Sequence, residues 1–176
     1  MWWRFLYTLG LMNVEGVAQR ALGWYAGRSE TQLRDEVAIW FRERVVPHIS
    51  DAARAAVRKH LDAGDLVAIA SGATLYACEP MAAELEIPHI VCTELEVKDG
   101  RLSGKAIDPL CYGHGKLRRS KQFLERHGAK VSDAIVYSDS VTDLPLLEAS
   151  ATPVAVNPDP RLRRMAEIRG WRIEVW

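Results

Sequence analysis

The spacing of hydrophobic and polar positions changes at about residue 60 and divides the chain into two parts. In the first part, apolar residues recur at helical intervals, as in "TQLRDEVAIWFRERVVP", where Leu33, Val37 and Phe41 fall on one helical face. The following segment, "SDAARAAVRKHLDAG", continues the helical pattern and stops at a glycine. We therefore predict that residues 1–60 contain helices and no strands.

In the second part, short apolar runs alternate with amphipathic segments. The runs "LVAIAS", "HIVCTEL", "AIVYS", "PVAVN" and "WRIEVW" are typical of buried strands, and the segments between them have helical spacing. An exception is "EVKDGRLSGKA" (96–106), which predicts a hairpin that turns at Asp99-Gly100. Strands that alternate with helices predict an α/β fold with a parallel sheet covered on both faces.

The composition is that of a globular domain without a strong charge preference. The 176 residues are 48% hydrophobic and 26% charged, and the 23 basic residues balance 23 acidic ones. A neutral chain has no overall attraction for nucleic acid, so we interpret basic clusters such as "KLRRSK" as solvated helix faces. Three cysteines without a CxxC motif argue against a disulfide scaffold or structural zinc, and favour a reducing cytoplasm.

The first residues, "MWWRFLYTLGLMNV", are apolar and aromatic. The run is shorter than the ~20 residues that a membrane span requires, and it lacks the basic leader of a signal peptide. We expect this segment to pack onto other helices and expect no membrane partner. The alternative is an interfacial helix that presents Trp2, Trp3, Phe5 and Leu6 to a lipid surface.

Polar residues follow three of the predicted strands directly, at Ser71, Asp139 and Asn157. In open parallel sheets, ligands bind beyond the carboxyl ends of the strands, which meet at one edge. We call this the carboxyl edge. The sequence therefore predicts that these residues lie at a common binding edge.

The residues at this edge have the chemistry of a phosphate and magnesium site. Ser71-Gly72 offers a hydroxyl and backbone N–H groups that we expect to open a helix, an arrangement that binds anions. Lys116, in the tight loop "YGHGK", supplies a point charge for phosphate oxygens. Asp139 and Asp143 supply the hard oxygens that Mg²⁺ prefers. Taken singly, each has a simpler interpretation as a helix cap, a turn or a solvated residue.

At these residues the chain resembles the haloacid-dehalogenase-like (HAD) phosphohydrolases, in particular the phosphoserine-phosphatase-like branch. "VAIASGAT" resembles the second motif of that family, Lys116 in "GHGKLRR" its third, and "VYSDSVTDLPLLE" its fourth. The resemblance implies a Rossmann-like core over 61–176, with the small hairpin near 96–106. It also implies that residues 1–60 form the branch's helical cap, shortened at its N-terminus.

The resemblance also implies roles for the residues of the site. Ser71, Gly72 and Lys116 would bind the phosphoryl group, and Lys116 and Asp143 would take part in catalysis. Asp139 and Asp143 would hold Mg²⁺. The implied activity is magnesium-dependent hydrolysis of a small phosphorylated metabolite.

The family's first motif, Asp-x-Asp-x-Thr, is not found in the sequence. The first aspartate is Asp35, in a helical context. In the family that motif provides the nucleophile of an aspartyl-phosphate intermediate, at the end of a central strand. We therefore expect this chain to be inactive by the covalent route. We also expect a gap in the sheet with unpaired backbone groups, because the strand that carries this motif is central in the family. The chain is then either a shortened one or a folded, inactive relative.

Two hypotheses follow for the function. The first is a magnesium-dependent phosphomonoesterase lineage, with no nucleophile in this chain. The second is a module that binds phosphate or Mg²⁺ without turnover. A third candidate is a signalling receiver domain. Such a domain places its acidic residues before its lysine, the reverse of the order in this chain, and the order therefore disfavours it. The sequence assigns neither the metabolite nor the oligomeric state.

Overall fold

The computed structural model describes residues 22–176 as an α/β structure. The interfacial hypothesis for Trp2, Trp3, Phe5 and Leu6 concerns residues outside this range. The helices are α1 (Glu30–Arg44), α2 (Asp51–Asp62), α3 (Leu75–Glu84), α4 (His114–Arg126), α5 (Leu144–Ala149) and α6 (Pro160–Arg169). The strands are β1 (Ala68–Thr74), β2 (His89–Thr93), β3 (Leu95–Lys98), β4 (Arg101–Ala106), β5 (Ile135–Ser138), β6 (Thr152–Val156) and β7 (Arg172–Glu174). None of the helices in this range is long and apolar enough to cross a bilayer.

The described strands form two parallel sheets and one antiparallel hairpin. β1 pairs in parallel with β2, and β5, β6 and β7 form a parallel sheet in that order. A helix lies between β1 and β2, between β5 and β6, and between β6 and β7. These are the crossover connections that parallel strands require. The α/β class predicted from the alternating pattern is confirmed.

Two apolar clusters hold the layers together. One lies where α5 and α6 cover the β6 side of the sheet, and its members are completely buried: Leu147, Ala155, Leu162 and Ala166. The other joins α1, α3 and the β3–β4 hairpin, and its buried members are Leu22, Leu33, Tyr76, Leu95 and Leu102. The second cluster therefore fixes the helical N-terminal region against the hairpin.

The hairpin turns through Asp99 and Gly100, which both have positive φ, at 50° and 71°. Two successive positive φ values are typical of a type I′ turn, which matches the twist of the flanking strands. Further along β4, Gly104 also has a positive φ of 82°. A Cβ at Gly104 would lie 2.9 Å from the Cβ of Ala26. The hairpin therefore contacts the segment before α1 at a distance that only glycine permits.

The first predicted strand and the helix after it have different limits in the structure. The sequence predicts that the strand ends at Ser71 and that Ser71-Gly72 opens the helix. β1 instead continues to Thr74, which pairs with Thr93 after a register shift, and α3 begins at Leu75. The extra pairing with β2 extends the strand, because each added residue gains a backbone partner. Ser71 and Gly72 consequently lie within the end of the strand.

A cleft separates the two parallel sheets, and its walls are β1 and β5. Within the described part of the chain, β1 pairs only with β2 and β5 only with β6, so each has one free edge. A cavity of about 460 Å³ lies between them, lined by Ala68 and Ala70 of β1 and by Val136 and Tyr137 of β5. We call this space the β1–β5 cleft. No strand of residues 22–176 lies between these two edges.

We predict that Gly104→Ala destabilises the protein more than Gly64→Ala. Both glycines have a positive φ, 82° and 76°, so both substitutions carry a backbone cost of ~1 kcal/mol. Only Gly104→Ala adds the collision with Ala26, because nothing lies within 4 Å of a Cβ at Gly64. Overpacking adds about 1–3 kcal/mol, measurable by urea denaturation. Equal losses for the two variants would contradict the close hairpin contact.

Candidate active site

A buried ion pair between Lys116 and Asp143 lies at the centre of the candidate site. Lys116 is in the first turn of α4, and Asp143 directly precedes α5; they are 7% and 8% exposed. The lysine Nζ donates to Asp143 Oδ2 at 2.7 Å and lies 2.6 Å from Oδ1. Ser138 Oγ donates to the same Oδ2 at 2.7 Å. Partners of this kind are required for charges that are removed from water.

The loop after β5 places Asp139 at the carboxyl edge. Ser138 Oγ accepts a hydrogen bond from the Ser140 N–H, which turns the chain directly after the strand. The Asp139 carbonyl accepts from the Asp159 N–H at 2.7 Å, and the Asp159 carboxylate accepts from the Val141 N–H at 2.7 Å. The backbone of this loop is therefore held in place while the Asp139 residue is exposed to solvent.

Thr93 connects the end of β1 to the loop that leads to α4. Its Oγ1 donates to the Gly72 carbonyl at 3.1 Å and accepts from the Cys111 N–H at 3.2 Å. Ser71 lies beside it and accepts from the Ala73 N–H at 3.1 Å. Ser71-Gly72 is thereby fixed against the segment that continues, five residues after Cys111, to the site lysine.

The Cys78 thiol interacts with Ser71 and with the charge of Lys116. Its pKa is lowered to about 7, chiefly by a hydrogen bond with the Cys92 thiol, and also by a hydrogen bond with Ser71 and the charge of Lys116. Burial acts in the opposite direction on this pKa. All three cysteines are free and buried. Ser71 and Lys116 therefore both lower the pKa of the same buried thiol.

Arg119 holds the loop before α4 in position. Its Nε donates to the Pro109 carbonyl at 2.6 Å, one terminal nitrogen donates to the Ile107 carbonyl at 2.8 Å, and the other pairs with Glu94 at 2.7 Å. The interpretation of "KLRRSK" as a solvated face is therefore wrong for Arg119 and for the buried Lys116. Arg118 is exposed, as that interpretation expects. Arg118 and Arg119 are adjacent in α4, and their side chains therefore project from different sides of the helix.

The predicted site residues lie in one region of the structure, but they are not all in direct contact. Lys116 and Asp143 are in direct contact, Ser71 and Gly72 adjoin them through Thr93, and Asp139 lies exposed at the end of β5. Sequence reasoning missed Ser138, Thr93 and Arg119 as residues that support the site. For Ser138, the Ser-Asp-Ser run at a strand end was the available signal. For Thr93 and Arg119 no spacing indicates the partner, because the contacts are tertiary.

Asp139 and Asp143 are the oxygen donors available for the magnesium ion that the resemblance implies. Asp143 Oδ1 is buried and lies 2.6 Å from the Lys116 ammonium, with no hydrogen bond to any other group within residues 22–176. Asp139 offers a second carboxylate four residues away. The described residues contain no cluster of three or more His, Cys, Asp or Glu side chains that could hold a metal. Two carboxylates fit Mg²⁺, since it commonly takes one or two from the protein and completes its shell with water and phosphate.

Comparison with known proteins identifies the class to which this fold and site belong. The family described as haloacid dehalogenase-like hydrolase matches residues 1–148. The match covers most of the chain and includes the strand ends, the lysine and both aspartates. The chain therefore belongs to the haloacid dehalogenase-like hydrolase family.

Individual relatives narrow this to the phosphoserine-phosphatase-like branch. The chain is 32% identical to a histidinol-phosphatase of Neisseria meningitidis, over 95% of this chain and 77% of that protein. It is also 32% identical to phosphoserine phosphatase SerB1 of Mycobacterium tuberculosis, of which it spans 58%. A crystal structure of a Bordetella pertussis protein of unknown function superposes with a TM-score of 0.88 at 33% identity, over 97% of this chain and 78% of that one.

We predict that Lys116→Met lowers the free energy of unfolding by about 3–5 kcal/mol, because it leaves the Asp143 carboxylate buried without a counter-ion. The double variant Lys116→Met/Asp143→Leu should recover most of this loss, since both charges are then absent. Exposed Lys121 on the same helix provides the control Lys121→Met. Urea denaturation of the set measures these effects. A loss for Lys116→Met no larger than the control's would contradict the buried pair.

We further predict that Arg119→Lys destabilises the protein by about 1–3 kcal/mol, whereas Arg118→Lys changes stability by less than about 0.5 kcal/mol. A lysine keeps the charge of Arg119 but cannot reach the Pro109 and Ile107 carbonyls and Glu94 together. Thermal unfolding of the two variants is the measurement. Equal melting temperatures would show that Arg119 does not hold the loop.

Proposed function

We propose that this chain is the larger part of a cytoplasmic, magnesium-dependent phosphatase that hydrolyses a small phosphorylated metabolite. In this proposal the 176-residue chain alone does not hydrolyse the substrate. The observation that carries the proposal is the buried contact of Lys116, Asp143 and Ser138 at the carboxyl edge, next to Ser71-Gly72. Membership of the hydrolase family supports the reaction class. The three buried, free cysteines support a reducing location.

Ser71, Gly72 and Lys116 bind the phosphoryl oxygens in this proposal. Ser71 supplies a hydroxyl, and the exposed Gly72 supplies backbone that a phosphate can approach without meeting a side chain. The ammonium of Lys116 neutralises phosphoryl charge in a region removed from bulk water, where its electrostatic effect is stronger than in solution. Asp143 and Ser138 hold that ammonium in position at the edge.

Asp139 and Asp143 hold the magnesium ion. When bound, the ion would supply positive charge that neutralises the charge on the phosphoryl oxygens. Asp139 would offer its exposed carboxylate to the ion, and Asp143 would offer the buried carboxylate that already pairs with Lys116.

The nucleophile is the missing component. The printed sequence contains no Asp-x-Asp-x-Thr segment. A carboxylate that attacks phosphorus must lie next to Lys116, and the β1–β5 cleft ends there, since Lys116 and Asp143 are among its lining residues. We propose that turnover requires a strand in this cleft with an aspartate at its carboxyl end. Histidinol phosphate and phosphoserine are the first candidate substrates, from the activities named for the two relatives.

The proposal predicts that fusing a strand with Asp-x-Asp-x-Thr before Met1 creates magnesium-dependent phosphatase activity. Release of phosphate from p-nitrophenyl phosphate, histidinol phosphate and phosphoserine is measured with Mg²⁺ and with EDTA. The matched control carries asparagine in place of the first aspartate of the fused strand. We expect at least a hundredfold difference between the two fusions, since the asparagine removes the covalent route.

A folded fusion no more active than its asparagine control would refute the proposal. Calorimetry with inorganic phosphate and Mg²⁺ on the unfused chain separates the second hypothesis from the first. Binding of phosphate together with an inactive fusion would identify a module that binds without turnover. The variant Lys116→Ala in the fusion should lower activity and raise KM, because it removes a phosphate ligand.

A further inference from the structure

Two of the three cysteines contact each other beside the end of β1. Cys92 of β2 is the register partner of Ser71 of β1. Partners in a parallel ladder project from the same face of the sheet, so the Cys92 thiol and the Ser71 hydroxyl are neighbours on that face. α3 packs on both strands, and its Cys78 forms hydrogen bonds with Cys92 and with Ser71. The two thiols and the hydroxyl therefore form one contact group.

The two thiols of this group differ in protonation. The pKa of Cys78 is lowered to about 7, chiefly by its hydrogen bond with Cys92, and the same hydrogen bond, followed by burial, raises the pKa of Cys92. Cys78 also lies in the first turn of α3, where the helix dipole favours negative charge. Near neutral pH the pair thus combines a thiolate at Cys78 with a protonated thiol at Cys92.

The third cysteine has a different environment. Burial raises the pKa of Cys111 to about 11, and its thiol donates to the Val91 carbonyl at 3.4 Å. Cys111 is fully buried, whereas Cys78 and Cys92 are each 3% exposed. Cys111 is therefore a protonated thiol with a main-chain partner, and provides an internal comparison for the reactivity of the pair.

The end of β1 gives a small molecule access to the pair. Ser71 is half-buried, and Gly72 and Ala73, which follow it, are exposed. A hydroperoxide is small and uncharged, so its transfer into a partly dry site costs less free energy than the transfer of an ion. The surroundings of the pair therefore favour a small neutral oxidant over a bulky or charged one.

Oxidation of the pair is a two-electron reaction in two steps. The Cys78 thiolate attacks one oxygen of a hydroperoxide, the O–O bond breaks, and an alcohol leaves while the sulfur becomes a sulfenic acid. The Cys92 sulfur then attacks the Cys78 sulfur, forms the S–S bond and releases water. In total, the two thiols lose two electrons and two protons, one of which Cys78 has already released to solvent. The hydroperoxide takes up both and becomes one alcohol and one water molecule.

We infer that Cys78 and Cys92 are a reactive dithiol that a hydroperoxide oxidises to an intrachain disulfide, which joins α3 to β2 beside Ser71. In a reducing compartment such a bond is transient and senses the redox state. Oxidation removes the thiolate that contacts Ser71 and so changes the hydrogen bonding of that hydroxyl. The inference does not rest on the proposed phosphatase activity, because the bond forms with or without phosphate at the site.

The experiment treats the full folded chain with hydrogen peroxide at neutral pH. Catalase stops the reaction, and N-ethylmaleimide in mildly acidic urea then caps the remaining thiols. Peptide mass spectrometry without reductant identifies the linked cysteines. We expect a disulfide between Cys78 and Cys92 that dithiothreitol reverses, with Cys111 capped. Cys78 should react roughly tenfold or more faster than Cys111, because only the Cys78 sulfur is ionised near neutral pH.

Three cysteine variants separate the roles of the thiols. Cys92→Ala removes the second thiol, so Cys78 should stop at the sulfenic acid, which dimedone traps; Cys92→Ser gives the same result if the alanine variant does not fold. Cys111→Ala is the matched control, because it removes a buried thiol outside the pair and should leave the disulfide unchanged. Circular dichroism verifies that each variant retains the fold.

A chain oxidised in urea provides the reference without tertiary structure, and all three possible pairings should form there. Three results would overturn the inference: no Cys78–Cys92 disulfide in the folded chain, equal oxidation rates for Cys78 and Cys111, or the same mixture of pairings with and without urea. The asparagine fusion described above is oxidised in parallel. It should form the same disulfide, because α3 and β2 are unchanged in it, and its failure to do so would also overturn the inference.

Discussion

The contact of Lys116 with Asp143 is the interaction on which the candidate site depends. Both side chains are almost fully buried, and each is tolerated there only because the other, together with Ser138, compensates its charge. The pair joins the first turn of α4 to the segment before α5. It therefore fixes the relative position of two helices that cover the sheet and presents one ammonium at the carboxyl edge. A site that binds a phosphoryl dianion needs such a fixed cation.

The two parallel sheets place the candidate site at their carboxyl edge. Strand ends deliver Ser71-Gly72 and Ser138-Asp139 to a common edge, as expected of an α/β sheet. Between them, the free edges of β1 and β5 face a cleft whose carboxyl end meets the lysine. Among the described residues, the groups proposed to bind phosphate thus lie beside the free edges of two strands. In the proposed function, phosphate binding and chemistry are separable, because Ser71, Lys116 and Asp143 do not include the attacking group.

The elements of the core could be predicted closely because their signals are local. Apolar runs, glycine stops and the Asp99-Gly100 turn each act over a few residues, and the structure has strands, helix ends and a turn at these positions. The end of β1 is different, since a pairing with Thr93 in another strand extends it past Ser71. Arg119 is different for the same reason. Its carbonyl partners are 10 and 12 residues away and no helical pattern indicates them.

The sequence by itself determined the fold class, the family resemblance and the identity of the polar residues that follow the strands, because residue type and periodicity are properties of the chain. The tertiary structure decided which of these residues meet. It buried Lys116, paired it with Asp143, left Asp139 exposed and opened the β1–β5 cleft. The physical reason is that burial and ion pairing depend on distances between segments far apart in the chain. Those distances are set only when the layers pack.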